Sequence, residues 1–486
     1  MKKELRQLSK ETAIYGISTI ISRFLNFLLV PIFTNVFSQS EYGIITNIYA
    51  YIAFLNIIYL YGMESAYLKF ASTQEFGNEK QTFSTTFNSV LITSIIFTMI
   101  LFILAGSFCN LFGLSENQIE IVYLSAGILS LDAISMIVFA KLRFYNKAFK
   151  FALIKTIGII LNVILNIYLI LILKLGIEGV FWANFIASLT TLILLVPSLI
   201  KNYEFKFYKS LHKELLKFGL PFVPSGIAAV INHVVDRPIL LALTDASTLG
   251  IYQANYKLGI FMMLYVSMFQ YAWQPFYLKQ AQREDAKEIF ASVLTYFLIV
   301  GSIIFIFLSL FVDDLVKIKI VHFYLIGKEF WGGIYIVPII LFAYLLNGVY
   351  INFIAGLQIT KRTEYLPLVT GVGAFVNVTS NFLLIPILGM MGAAFATLFS
   401  YLSMAIFQYF LSQKFYPIKY EWHKILILLL ITTLTYFGYQ IVLKFLPDWK
   451  IYLKLASFVS FLTLLFAFKI VKISSLGFSF PWSKKS

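Results

Sequence analysis

The sequence predicts an all-α polytopic membrane protein of about fourteen transmembrane helices: two six-helix lobes related by a pseudo-two-fold axis, plus two extra C-terminal helices. Three observations carry that prediction. Of the 486 residues, 60% are hydrophobic and only 13% charged, and the mean hydropathy is +0.84, far outside the range of a soluble globular domain. Apolar runs of 18 to 28 residues recur along the chain. As helices these can span a hydrocarbon core of ~30 Å, and the alternation of a barrel strand persists nowhere. The chain is also duplicated: Asn162-Val-x-x-Asn166 recurs as Asn377-Val-x-x-Asn381, 215 residues on. Gly176-x-x-Gly179-x-x-x-Ala183 recurs as Gly389-x-x-Gly392-x-x-x-Ala396 at 213, and Tyr42-Gly43 aligns with Leu249-Gly250 at 207. Because six is even, the two copies share one orientation, as parallel repeats about an axis along the membrane normal.

In chain order the expected spans are 12–37, 43–70, 83–111, 119–142, 151–173, 177–200, 215–243, 249–276, 289–312, 331–357, 364–388, 390–412, 422–446 and 451–471. The first begins with the basic flavour of a signal peptide, but its apolar run reaches Phe37 without a small-x-small cleavage site, so it reads as an uncleaved helix. An even number of spans puts both termini on one side. With cytoplasmic termini the inner segments hold 28 Lys and Arg and the outer segments 7, which sets the orientation in a bacterial cytoplasmic (inner) membrane. The expected divisions are an N-lobe at 1–200, a basic and aromatic cytoplasmic interfacial linker at 201–214, a C-lobe at 215–413, and a final helix pair with a cytoplasmic tail at 414–486. Prolines 31, 221, 224, 275, 338, 367 and 386 fall inside spans and read as kinks or as packing accommodations.

Several classes are excluded. A net charge of +15 would suggest nucleic acid in a soluble chain, but the basic residues sit between hydrophobic runs, where topology explains them. The single cysteine, Cys109, rules out internal disulfides and thiolate metal sites. The four histidines lack ligand spacing and no Walker-type loop is present, so neither a metal nor a cofactor is expected. Asp313-Asp314, in a short loop, is a weak candidate for the paired carboxylates of a membrane glycosyltransferase or polymerase.

Polar residues at membrane depth are therefore the informative ones. On a continuous helix Asn232, His233, Asp236 and Arg237 would fall within an arc of roughly 140°. Even on the lenient insertion scale a mid-bilayer Arg costs about 2.5–3.5 kcal/mol, so that face must look into protein or water. Lys257 follows early in the next span and Arg23 lies near the centre of the first. Glu64, Asp132 and Lys155 are candidate ion-coupling groups or partners in structural salt bridges. His233 reads as a hydrogen-bonded packing residue or a proton relay, and Asp236 and Arg237 as cavity groups or members of structural pairs.

Asp236-Arg237-x-x-Leu240-x-x-Leu243, then Leu249-Gly250-x-Tyr252 and Lys257, resembles the seventh and eighth helices of bacterial polysaccharide repeat-unit flippases, the O-antigen type of lipid-linked oligosaccharide transporter. Arg23, Pro31 and Glu41-Tyr42-Gly43 are similar to that family's first helix and following turn. Pro238 and Thr244-Asp245 depart from its pattern. The family lies within the multidrug/oligosaccharidyl-lipid/polysaccharide exporter superfamily. The resemblance implies a transporter, not an enzyme: a flippase acting in polysaccharide or lipopolysaccharide biosynthesis, moving a polyprenyl-diphosphate-linked oligosaccharide from the inner to the outer leaflet by alternating access through a cationic cavity between lobes. Arg23, Arg237, Lys257, Asp236, His233 and Asn232 would line that cavity, and Glu64 and Asp132 would couple transport to ions. Implied partners are membrane lipids, H+ or Na+ or the membrane potential, and a polysaccharide polymerase and glycosyltransferases. The rival readings are an ion-coupled multidrug exporter and an integral-membrane polymerase or glycosyltransferase.

Overall fold

The computed structural model describes residues 20, 23–201, 203–468 and 470. Among these, the only β-structure is a two-residue antiparallel hairpin pairing Lys319 with Tyr324 and Ile320 with Phe323. Eleven helices are long and apolar enough to cross a membrane, or twelve if the pair Lys209–Gly219 and Phe222–Val234, bent by 41°, is one span. The first and eighth expected spans account for the difference from fourteen. Span 12–37 is described only as the helix Arg23–Val36, and span 249–276, which carries Gln253, Asn255, Lys257, Gln270 and Gln274 among its apolar residues, is not among the counted helices. The reading of the N-terminus as an uncleaved start, and the C-terminal tail, lie outside the described residues. Ile103, Phe149, Phe375, Ile387 and Phe445 stand largely exposed on helix surfaces, as lipid-facing side chains do and as a soluble protein would not tolerate.

The chain divides into two compact units that differ from the expected lobes. The first comprises Met1–Lys257, Lys319–Gly333 and Leu366–Ser400; the second comprises Leu258–Ile318, Ile334–Tyr365 and Tyr401–Ser486. Residues 215–257, expected in the second lobe, thus join the first unit.

A close helix crossing within the first unit explains that assignment. A Cβ on Gly43 would sit 2.0 Å from the Ala246 carbonyl oxygen, and one on Gly250 would sit 1.9 Å from that of Gln39, so only glycine lets the helices Gln39–Leu60 and Ala246–Tyr256 touch backbone to backbone. These are the two glycines that the duplication aligns. Each helix starts at a cap. Ser38 and Glu41 form a reciprocal capping box, and Asp245 accepts the Thr248 backbone N–H at 2.9 Å and its hydroxyl at 2.7 Å. Thr244-Asp245, the departure from the family pattern, is therefore a helix start. Asp245→Ala is expected to destabilise by about 1 kcal/mol, measured by unfolding of the purified protein. The Thr248 backbone N–H and then its hydroxyl hold the Asp245 carboxyl below the usual carboxylate range. With the folded pKa depressed, the cap's contribution is complete above the ordinary aspartate value and is lost as pH falls through the lowered one.

Other interruptions have equally local causes. The apolar stretch that begins at Gln39 breaks at Tyr61 and Gly62, both left-handed, with φ of 32° and 77°. A Cβ on Gly62 would lie 2.1 Å from the Gly219 carbonyl oxygen. The expected single helix over 215–243 is three, broken at Pro221 and again at Val235. Pro238 lacks an N–H and its ring would clash with the carbonyl four residues earlier, that of Val234, so the chain restarts at Asp236 with Pro238 in the first turn. The linker is fixed to the helix Glu79–Ile103: Tyr203 donates to Asn88 Oδ1 at 2.6 Å and the Glu204 N–H to Ser84 Oγ at 2.8 Å. Its second half is already helical from Lys209, burying Leu211 and Leu215 and exposing Lys209, Lys213 and Lys217.

In the second unit, Trp273 packs edge-on against Phe290 at 5.4 Å and donates to the Asn352 carbonyl at 3.3 Å. Tyr265 stacks on Phe297 at 5.1 Å. At the end of the helix Ala286–Leu315, Asp313 and Asp314 both bind Lys454 of the helix Lys450–Ala467, and Asp313 also binds Lys450. The Asp313-Asp314 pair is thus committed to docking the last helix.

Candidate functional site

The first unit encloses a cavity of about 500 Å³. Each wall is one face of a helix, visible as residues three or four apart: Asn26, Leu29, Val30 and Phe33; Asp132, Ser135, Met136 and Phe139; Lys155, Gly158, Ile159, Asn162 and Asn166; Asn184, Ala187, Ser188 and Thr191. Tyr42, Thr46, Tyr49 and Asn56 come from the helix Gln39–Leu60, and Lys257 completes the lining. Asp132 is exposed to this space, with Ser188 in hydrogen-bonding reach. Asn184 donates to Tyr49 Oη at 3.2 Å, and the Tyr49 ring stacks on Phe181 at 5.4 Å. Asn166 Nδ2 bonds the Asn162 carbonyl at 2.8 Å and its Oδ1 at 3.1 Å. Immediately afterwards the helix loosens into a π-turn, Ile167–Ile172, a distortion common beside functional sites.

The predicted cations form an electrostatically linked group. Arg237 acts on His233, on Tyr42 and on Lys257, and Arg23 acts on His233. Of this group Lys257 and Tyr42 belong to the cavity lining, whereas Arg23, His233 and Arg237 do not. Asp236 is buried at the N-terminus of the helix Asp236–Leu243, where the helix dipole favours a carboxylate, and accepts the Tyr252 hydroxyl at 2.7 Å. Arg237 Nε is buried without a partner inside the protein.

The six predicted cavity residues are not placed alike. Asn232 serves helix packing: it donates to the Thr370 carbonyl at 3.1 Å and accepts from Ser400 at 3.0 Å, and it is 4% exposed. A one-residue turn at Val235 separates the helix carrying Asn232 and His233 from the one carrying Asp236 and Arg237, but Val235 itself keeps helical geometry, with φ −68° and ψ −24°. His233 is exposed. Of the two candidate coupling carboxylates, Glu64 is ion-paired with Arg143 away from the cavity lining, whereas Asp132 faces the cavity. Sequence reasoning missed Asn26, Tyr49, Asn56, Asn184, Ser188 and Thr191, took Asn162 and Asn166 only as repeat markers, and read Lys155, which belongs to the lining, as an ion-coupling group or a salt-bridge partner. The spacing of 184, 188 and 191, and of 155, 159, 162 and 166, was the available signal.

The helix arrangement is similar to those of a lipid II flippase and of multidrug transporters. The chain superposes on the lipid II flippase MurJ in an inward closed conformation with a TM-score of 0.74 at 16% identity, covering 94% of this chain and 100% of that one. It superposes on an inward-facing multidrug resistance MATE family transporter at 0.59, 16% identity, 81% and 97%. For a MOP superfamily transporter from Pyrococcus furiosus the values are 0.58, 14%, 84% and 95%. The chain belongs to the polysaccharide biosynthesis protein family, whose profile matches residues 8–282. No curated protein matches it by sequence.

Proposed function

We propose that this protein flips a polyprenyl-diphosphate-linked oligosaccharide from the inner to the outer leaflet of the cell inner membrane by alternating access, in the synthesis of a surface polysaccharide of the O-antigen or lipopolysaccharide kind. Membership of the polysaccharide biosynthesis family and the fold support a lipid-linked cargo. The observation that carries the reading is Lys257 in the cavity lining with Arg237, whose Nε is buried without a hydrogen-bond partner, in electrostatic reach of it and of Asp236. The two cations repel one another, and an anion placed against both relieves the repulsion. A diphosphate fits, since Arg donates to it bidentately while Lys adds a point charge, and together they replace the hydration it loses. Arg23 and His233 extend the same group. Asp132, facing the cavity, is the carboxylate we assign to coupling with H+ or Na+; the membrane potential and consumption of product by polymerase and glycosyltransferase partners would supply further drive.

The test is reconstitution into liposomes with fluorescent polyprenyl-diphosphate oligosaccharide. Arg237→Ala and Lys257→Ala are each expected to slow translocation about tenfold or more, the worth of one charge-assisted contact. Unchanged rates in both variants would remove the diphosphate site. Export of drug cations by the parent, with no flipping of the lipid, would replace the function by multidrug efflux.

A further inference from the structure

Resting on that reading, we infer that the amide- and hydroxyl-lined wall of the cavity is a separate subsite for the sugar rings of the cargo, apart from the cations that take the diphosphate. Apart from Lys155 and Lys257, the polar lining of the cavity is chemically unlike an anion site. It presents Asn56, Asn162, Asn166, Asn184, Ser135 and Thr191, with the Asp132 carboxylate exposed among them. A carboxylate there repels a diphosphate and accepts hydroxyl hydrogens well. The amides each offer a donor and an acceptor, the mixed pattern that vicinal sugar hydroxyls require.

Three wall atoms, Asn56 Oδ1, Ser135 Oγ and Asn166 Oδ1, are buried without a hydrogen-bond partner. Buried polar atoms are ordinarily satisfied, and a hydroxyl-bearing ligand, reached by rotation of these side chains, would satisfy them. The cavity's 500 Å³ lies within the range of sites that enclose small ligands and holds more than one sugar ring. Alternative occupants fit less well. No group of three or more His, Cys, Asp or Glu able to hold a metal occurs among the described residues. A drug cation would meet Lys155 and Lys257 against the single carboxylate. The subsite thus divides recognition of the cargo: charge near Arg237 and Lys257, hydrogen bonding through the asparagine, serine and threonine side chains of the lining.

The experiment compares two probes on the full-length reconstituted protein: polyprenyl diphosphate bearing a hexose disaccharide, and bare polyprenyl diphosphate. The parent should bind the glycosylated lipid more tightly. Asn162→Ala and Asn184→Ala should each weaken that binding about tenfold while leaving the bare lipid unchanged, which also shows that the variants are folded. Arg237→Ala should weaken both. As an independent readout, Asn162→Cys in a Cys109→Ala background should be protected from maleimide by the glycosylated lipid and not by the bare one. If the parent binds both lipids equally, or the asparagine variants bind the glycosylated lipid normally while Arg237→Ala does not, the sugar subsite is overturned and the diphosphate site stands. If the parent binds neither lipid, the flippase reading falls and takes the subsite with it.

Discussion

Lys454→Ala is expected to destabilise the second unit by about 1.5–3 kcal/mol, the worth of hydrogen bonds to charged groups, because it removes the buried ammonium that both carboxylates hold. Lys454 is 1% exposed and binds both Asp313 and Asp314; Lys450 reaches only Asp313, so Asp314 loses its cation altogether. The measurement is the midpoint of denaturant-induced unfolding in detergent. Lys454→Met, which refills the buried volume, should recover most of the loss, since a buried ion pair replaced by an apolar side chain of similar size is often neutral and both carboxylates keep contact with solvent. Arg283→Ala, which breaks an exposed pair with Asp285, should not move the midpoint measurably. A Lys454→Ala variant as stable as the parent would show that the last helix is docked by its apolar face alone.

Gly43→Val is the second large effect, expected to cost at least about 2–3 kcal/mol in the first unit. The new side chain would begin 2.0 Å from the Ala246 carbonyl oxygen and 3.0 Å from the Gly250 nitrogen. Both are backbone atoms in capped helices, so no side chain can rotate away and the helices must part. Gly438→Ala is the control. Nothing lies within 4 Å of its added methyl, and alanine's better helix propensity should hold or raise stability. Equal unfolding midpoints for Gly43→Val and the parent would mean that this crossing is far more compliant than its backbone contacts indicate.

Legibility from sequence differed by feature. Hydropathy placed the spans because crossing hydrocarbon is a property of each run by itself. It could not foresee the break at Val235, although Pro238 was in plain view, because a proline both kinks and caps and the choice depends on what packs nearby. Charges were found and neutral amides overlooked: a buried Arg demands an explanation, while a lone Asn in an apolar run is satisfied as readily by a neighbouring carbonyl. Asn232, held by Thr370 and Ser400, and Asn184, facing the cavity, look alike in the sequence.

The sequence by itself determined that this is a multi-pass helical membrane protein and that short motifs recur between its halves, since periodicity, apolar length and repeated spacing are local quantities. Only the tertiary structure decided which copy of a repeated motif does which work. In the first half Asn166 bonds Asn162 and that pair belongs to the cavity lining; in the second Asn381 bonds Asn377 in the same way at 2.8 Å, and that pair does not belong to it. The same residues at the same spacing form the same bond, and their role is set by whether the neighbouring helices leave a space in front of them or fill it.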